Sequence, residues 1–183
     1  MDIRTLQIPG PVVIVPRKFG DARGFLSETY VDEAFCANIA PVRFAQENHS
    51  YSERAGTIRG IHFQVPPHAQ GKLVRVVRGA IFDVAVDLRA GSPTFGHCAH
   101  AELSAANWHQ LWIPVGFGHG FCTLEPDTEV IYKMTARYRP DSERGIAWDD
   151  PDLAIAWPLG QREPCLSERD RRHPRLAESP TYF

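Results

Sequence analysis

The chain has 183 residues, enough for one packed core and short for two domains. With 43% hydrophobic and 23% charged residues and a formal charge of -2, it has the balance of an ordinary globular protein. That balance excludes the broad basic field expected of a partner for nucleic acid or an anionic membrane, so any anion has to be bound locally.

The opening MDIRTLQIPGPVVIVPRKFG has an acid at position 2 and prolines at 9, 11 and 16 in place of the basic start and apolar run of a signal peptide. No stretch approaches the ~18 apolar residues of a membrane span. VVIVP (12–16) reads as a first strand, and VDEAFCAN (31–38) as two turns of helix. GTIRGIHFQ (56–64) fits a strand except that it carries Arg59 and His62. In LVRVVRGAIFDVAVDLR (73–89) a turn at Arg78-Gly79 precedes strict alternation: Phe82, Val84, Val86 and Leu88 on a buried face, with Asp83, Ala85, Asp87 and Arg89 on the other.

Further short strands are expected at HCAHAEL (97–103), HQLWIP (109–114), GFCTL (120–124) and EVIYKMT (129–135), separated by polar or Gly-rich turns. Many short strands at close spacing predict an all-β sandwich or closed barrel over residues 1–183 as one domain. The Pro- and Arg-rich tail after Trp157 is expected to wrap the surface, with a short helix at SERDRRHPRLAE (167–178) broken by Pro174. The four cysteines, Cys36, Cys98, Cys122 and Cys165, form no C-x-x-C pair and read as reduced thiols of a cytoplasmic protein.

Eight histidines supply groups that trade protons near neutral pH, and two of them, His62 and His119, sit among apolar residues and glycines. A polar ring on such a strand costs roughly 1–3 kcal/mol if unpaired, so it needs a partner or a task. Arg59 and Lys72 flank His62, and both are expensive to bury without an anion. Regular alternation would put Arg59 and His62 on opposite faces; a cleft holding both needs a bulge or twist, and Gly60 is the site for it.

WIPVGFGHGF contains P-x-G-x-x-H at Pro114, Gly116 and His119, which resembles the second motif of the cupin superfamily. The H-x-H ligand pair of metal-binding cupins is missing: Gln64 follows Phe63, and Lys72 stands where an acidic ligand would. An ammonium beside one or two imidazoles is a poor cation site, so no metal cofactor is expected.

Longer segments, DARGFLSETY (21–30), QENHSYSERAGTIRGIHFQ (46–64), QGKLVRVVRGAIFDVAVDLRAGSPTFG (70–96), LSAANWHQLWIPVGFGHGF (103–121), EVIYKMTARYRPDSERGIAWDDP (129–151) and LSERD (166–170), together resemble the dTDP-4-dehydrorhamnose 3,5-epimerases. The resemblance implies a cofactor-free cupin jelly-roll isomerase, a homodimer whose N-terminal strands pair across subunits, acting on a dTDP-4-keto-6-deoxy sugar. It implies His62 as general base, Asp170 as the carboxylate orienting it, Lys72 as the charge at the ketone oxygen and Tyr132 as the acid on the opposite face. It also implies Arg23 and Arg59 at the diphosphate, Phe19, Phe25, Glu28, Gln46, Asn48, Tyr138 and Glu143 around the nucleotide, and Asp83 and His119 lining the site.

Residue identity leaves three alternatives open: a C3-only or C5-selective epimerase of another deoxysugar pathway, a metal-dependent cupin enzyme, and a sugar-nucleotide binder without turnover.

Overall fold

A computed structural model describes residues 1–183. In chain order the strands are β1 (Asp2–Thr5), β2 (Val12–Val15), β3 (Lys18–Asp21) and β4 (Gly24–Ser27), then helix α1 (Asp32–Asn38). They continue with β5 (Gln46–Ser52), β6 (Ile58–Gln64), β7 (Lys72–Arg78), β8 (Ala80–Asp87), β9 (Cys98–Ser104), β10 (Gln110–Ile113), β11 (Phe117–Thr123), β12 (Thr128–Met134) and β13 (Glu143–Gly145). Two antiparallel sheets result, ordered β1-β2-β10-β7-β12-β5 and β13-β6-β11-β8-β9, with β3 and β4 as a separate hairpin. This is the expected all-β architecture, two sheets closed face to face as a jelly roll.

Between the sheets lies an apolar cluster that includes Val74, Val76, Leu111, Ile113 and Val130 from one sheet and Ile81, Ala85, Leu103, Phe117 and Phe121 from the other. Period-two alternation then sends the intervening residues outward. On the first sheet Ile14, Leu73 and Trp112 are covered by Phe35 of α1. On the second, Ile61, Phe63, Val84, Val86 and Leu88 are covered by Ile146, Leu153 and the tail residues Trp157, Leu176, Tyr182 and Phe183. The tail therefore acts as a third layer, as its composition led us to expect.

That layer corrects the reading of β8 as a strand with a single buried face. Phe82, Val84 and Val86 lie under the tail, while Asp83 and Asp87 point between the sheets and are fully buried. Asp87 is held by Arg89, Ser92 and Thr94, whose hydrogen bonds outweigh the cost of burial and keep its pKa well below the usual carboxylate range.

Besides the short β1 and β13, two segments were not legible as strands. QENHSYS forms β5, where Gln46, Asn48, Ser50 and Ser52 face inward in strict alternation with exposed residues; its polar inner face hid the pattern, because polar residues on both sides remove the contrast that periodicity detects. The β3–β4 hairpin has almost no buried face at all.

The helix at 31–38 is present as α1, and the expected broken helix at 167–178 appears as two 3-10 turns, Asp170–Arg172 and Leu176–Glu178, on either side of Pro174. No helix is long and apolar enough to cross a membrane.

Candidate active site

The local feature on which the site depends is in β6. Arg59 is opposite Phe121 and His62 opposite His119, so Gly60 and Ile61 together face the single residue Gly120. This is a β-bulge, and its extra residue brings Arg59 and His62 to the same face of the sheet. Gly60 has φ +129, a conformation that disfavours any side chain, and a Cβ there would run into Gly120 and lie 2.7 Å from the His119 carbonyl oxygen. Gly120 answers from the other strand: a Cβ on it would come within 2.7 Å of Ile61 Cδ1. The glycines of GTIRGIHFQ and GFGHGF thus make one close crossing.

Inward-facing residues of β5, β6, β7 and β12 then converge on a cavity of about 290 Å³ lined by Gln46, Asn48, His62, Phe63, Gln64, Gln70, Lys72, Tyr132, Met134, Tyr138 and Glu143. Of the residues picked out in the sequence, Gln46, Asn48, His62, Lys72, Tyr132, Tyr138 and Glu143 are brought together here. His62 comes from the five-stranded sheet, whereas Lys72 and Tyr132 come from the six-stranded one, so the imidazole and the phenol approach the space between them from opposite walls.

His62 is oriented from behind. Its Nε2 lies 2.5 Å from Asp170 Oδ1, and Ser167 Oγ donates to the second carboxylate oxygen at 2.8 Å. The tail reaches this position because Cys165 exchanges backbone hydrogen bonds with Gly56 and Ile58 at the start of β6, five residues before Asp170. Burial opposes the charge of Asp170, but the contacts with His62 and Ser167 prevail and hold its pKa below the ordinary value.

Lys72 is buried, with Nζ donating to the His62 carbonyl oxygen at 3.3 Å. Burial pushes its pKa down to about 8, partly countered by the carboxylates of Asp83 and Glu143. Tyr132 Oη accepts a hydrogen bond from Asn48 Nδ2 at 3.2 Å. Glu143 is met by Arg169 at 2.7 Å and by the Tyr138 hydroxyl.

Deeper between the sheets, His119 Nε2 and Asp83 Oδ1 are 2.7 Å apart and both side chains are almost wholly enclosed. Burial lowers the His119 pKa despite that carboxylate. Arg59 is exposed, and its guanidinium donates to Ser52 Oγ and to the Tyr51 carbonyl.

Four of the residues picked out lie elsewhere on this chain. Phe19, Arg23 and Phe25 sit on the exposed β3–β4 hairpin and Glu28 just after it, and none of the four lines the His62 cavity. Phe19 and Glu28 border a different cavity beside α1, about 240 Å³.

Sequence reading missed Phe63, Gln64, Gln70, Met134 and His173. Gln64 and Gln70 were findable, since each stands two positions from an inward residue, His62 or Lys72. His173 is three positions after Asp170 on the 3-10 turn, and its ring stands edge to face with that of His62. His62, Asp170 and His173 form the one group of three or more His, Cys, Asp or Glu side chains with donor atoms close enough for a common cation.

The family model described as dTDP-4-dehydrorhamnose 3,5-epimerase matches residues 5–178. An enzyme of that name from Sinorhizobium fredii is 51% identical over 183 residues, covering 100% of this chain and 93% of its own. The crystal structure of dTDP-6-deoxy-D-glucose-3,5-epimerase from Legionella pneumophila, in complex with dTDP-4-keto-L-rhamnose, superposes with TM-score 0.93 at 42% identity, covering 98% of this chain and 94% of that one. A dTDP-4-dehydrorhamnose 3-epimerase from Streptomyces niveus is 41% identical over 189 residues, covering 100% of this chain and 90% of its own.

Proposed function

The chain belongs to the dTDP-4-dehydrorhamnose 3,5-epimerase family, and we propose that His62 is the base that starts its reaction. The protein is an isomerase of dTDP-L-rhamnose biosynthesis, epimerising C3 and C5 of dTDP-4-dehydro-6-deoxy-D-glucose to give dTDP-4-dehydro-L-rhamnose. The observation that carries the division of labour is the placement of His62, backed by Asp170, and Tyr132 on opposite walls of a cavity that also holds Lys72.

Protons on C3 and C5 flank the C4 ketone and become removable once the enolate oxygen is stabilised. With Nε2 engaged by Asp170, the other ring nitrogen of His62 accepts the proton. The Lys72 ammonium faces the negative charge that develops on the C4 oxygen, in a water-poor site where that charge is worth most. Tyr132 then delivers a proton to the opposite face of the same carbon, which inverts it. His62 returns its proton to solvent and Tyr132 is recharged from solvent, so each turnover carries solvent hydrogen into the product.

Arg59, with its forked guanidinium at the rim, takes the diphosphate. Gln46, Asn48, Tyr138 and Glu143 surround the nucleotide, and Asp83 and His119 line the floor. Phe19, Arg23, Phe25 and Glu28 complete the pocket of a second copy in a homodimer, because the hairpin presents them to solvent on their own chain. The whole chain acts as one unit in the cytoplasm, where its four free cysteines stay reduced.

Incubation with the 4-keto sugar nucleotide in heavy water tests this by NMR. Loss of both the C3 and C5 proton signals is expected; loss at C3 alone overturns double epimerisation, and no exchange at either overturns the activity.

A further inference from the structure

His173 is a largely buried imidazole to which the proposed epimerisation assigns no role. It closes the 3-10 turn that begins at Asp170, and in that geometry side chains three apart lie on one side. Its Nε2 lies 3.7 Å from Asp170 Oδ1, the same oxygen that meets His62 at 2.5 Å. The side chain is only 11% exposed, and Nε2 is buried without a hydrogen-bond partner. A buried ring nitrogen without a partner is unusual, and it leaves that nitrogen available to a ligand.

The ring is not free to turn elsewhere. A Cβ on Gly145 would lie 2.5 Å from His173 Cε1 and Nε2, so the imidazole rests directly on the β13 backbone opposite His62. Pro174, the next residue, accepts a hydrogen bond from the Ala147 amide at 2.8 Å and fixes the turn. Two imidazoles consequently converge on one carboxylate, with all three donor atoms within 4.8 Å of one another.

We propose that His62, Asp170 and His173 form an inhibitory site for a zinc-class divalent cation, which switches the enzyme off by capturing its base. Two imidazoles and one carboxylate are the donor set of three-ligand zinc sites, with water completing the tetrahedron. Magnesium and calcium, which demand several oxygen ligands, are excluded by the same donor set. With ligands at about 2.0–2.2 Å, the donors of a tetrahedral zinc are about 3.3–3.6 Å apart. The His173–Asp170 separation of 3.7 Å is already close to that, while the His62–Asp170 separation of 2.5 Å has to open. That requires a movement of about 0.8–1.1 Å by His62, the most exposed of the three. The proton on His62 Nε2 passes by way of solvent to Nδ1 as the metal takes its place, so the ring stays neutral and has no lone pair left to act as base.

The surrounding charge permits this. Arg169, the guanidinium that acts on His173, is neutralised by Glu143 at 2.7 Å. The Lys72 ammonium is engaged by the His62 carbonyl oxygen at 3.3 Å. The inhibition rests on His62 being the base; the binding of the ion does not.

Zinc is titrated calorimetrically into metal-stripped protein, into His173→Ala and into His173→Asn, each checked for its fold by circular dichroism. We expect one zinc per chain with a micromolar Kd, weakened at least about tenfold in both variants. Proton exchange in heavy water should fall with the same zinc dependence relative to each protein's own zinc-free rate, recover on chelation, and ignore magnesium. Equal affinity in the variants overturns the site, as does a thiolate charge-transfer band when cobalt replaces zinc, since that places the metal on a cysteine. Zinc bound at His173 with exchange undiminished overturns the switch. Absence of exchange in zinc-free protein refutes the assignment of activity and leaves calorimetry to decide the site.

Discussion

His62 Nε2 stands 2.5 Å from Asp170 Oδ1, joining the wall of the barrel to a tail residue 108 positions later. With His62 as the proposed base, the carboxylate would fix which ring nitrogen carries the proton and stabilise the imidazolium formed in the reaction. Asp170→Asn keeps the size of the side chain and removes the charge. We expect kcat to fall by about 10²–10⁴-fold with little change in KM, read from solvent exchange at saturating substrate. A rise in KM at unchanged kcat would show that Asp170 serves substrate binding and not the base.

Lys72 gives a prediction in which activity and stability move in opposite directions. Its folded pKa of about 8 lies below the 10.5 of the free side chain, so between those values the unfolded chain binds the extra proton. Stability therefore rises with pH from about 8 towards 10.5, and below 8 the full penalty of the buried ammonium is present, on the order of 3 kcal/mol. Lys72→Met should abolish exchange yet raise the denaturant midpoint at pH 7, with the gain shrinking as pH approaches 10. The wild-type rate should decline above about pH 8 as the ammonium is lost.

The bulge at Gly60 accounts for how much of this site the sequence disclosed. Alternation in GTIRGIHFQ was enough to show that Arg59 and His62 cannot share a face on a regular strand, and Gly60 was the residue at which regularity had to fail. The contact of His62 with Asp170 was not legible in spacing, because it depends on a tail whose path is set by backbone hydrogen bonds of Cys165 to β6, which no side-chain pattern records. Family resemblance supplied Asp170 instead. His173 escaped both routes: in SERDRRHP it is one polar residue among many, and only the 3-10 turn places it beside the carboxylate. β5 was missed because its inner face is polar, which leaves periodicity no contrast to detect.

Gly60→Ala tests the crossing itself. The new methyl group would collide with the backbone of β11 in a conformation that disfavours alanine, and neither strand can move without displacing His62 or His119. A loss of at least about 3 kcal/mol is expected from denaturant midpoints, together with loss of exchange. A variant with near-native stability would mean that the two strands can separate here, and the bulge would not be what aligns Arg59 with His62.

The β3–β4 hairpin raises the question of which pocket it serves. Phe19 is 46% exposed, Phe25 51% and Leu26 66%, and the side chain of Arg23 is paired only with Asp21 on the same hairpin. Three large apolar residues on a segment that buries almost nothing are costly in an isolated chain and useful in an assembly. If each hairpin reaches the other subunit's cavity, Arg23 and His62 of one chain work in different active sites. His62→Ala and Arg23→Ala should each be inactive or nearly so as pure proteins. Mixing them after partial denaturation and refolding then yields heterodimers in which one site has His62 from one chain and Arg23 from the other, and exchange should reappear. No recovery on mixing, with light scattering showing that dimers re-form, would mean that Arg23 acts on its own chain's substrate or not at all.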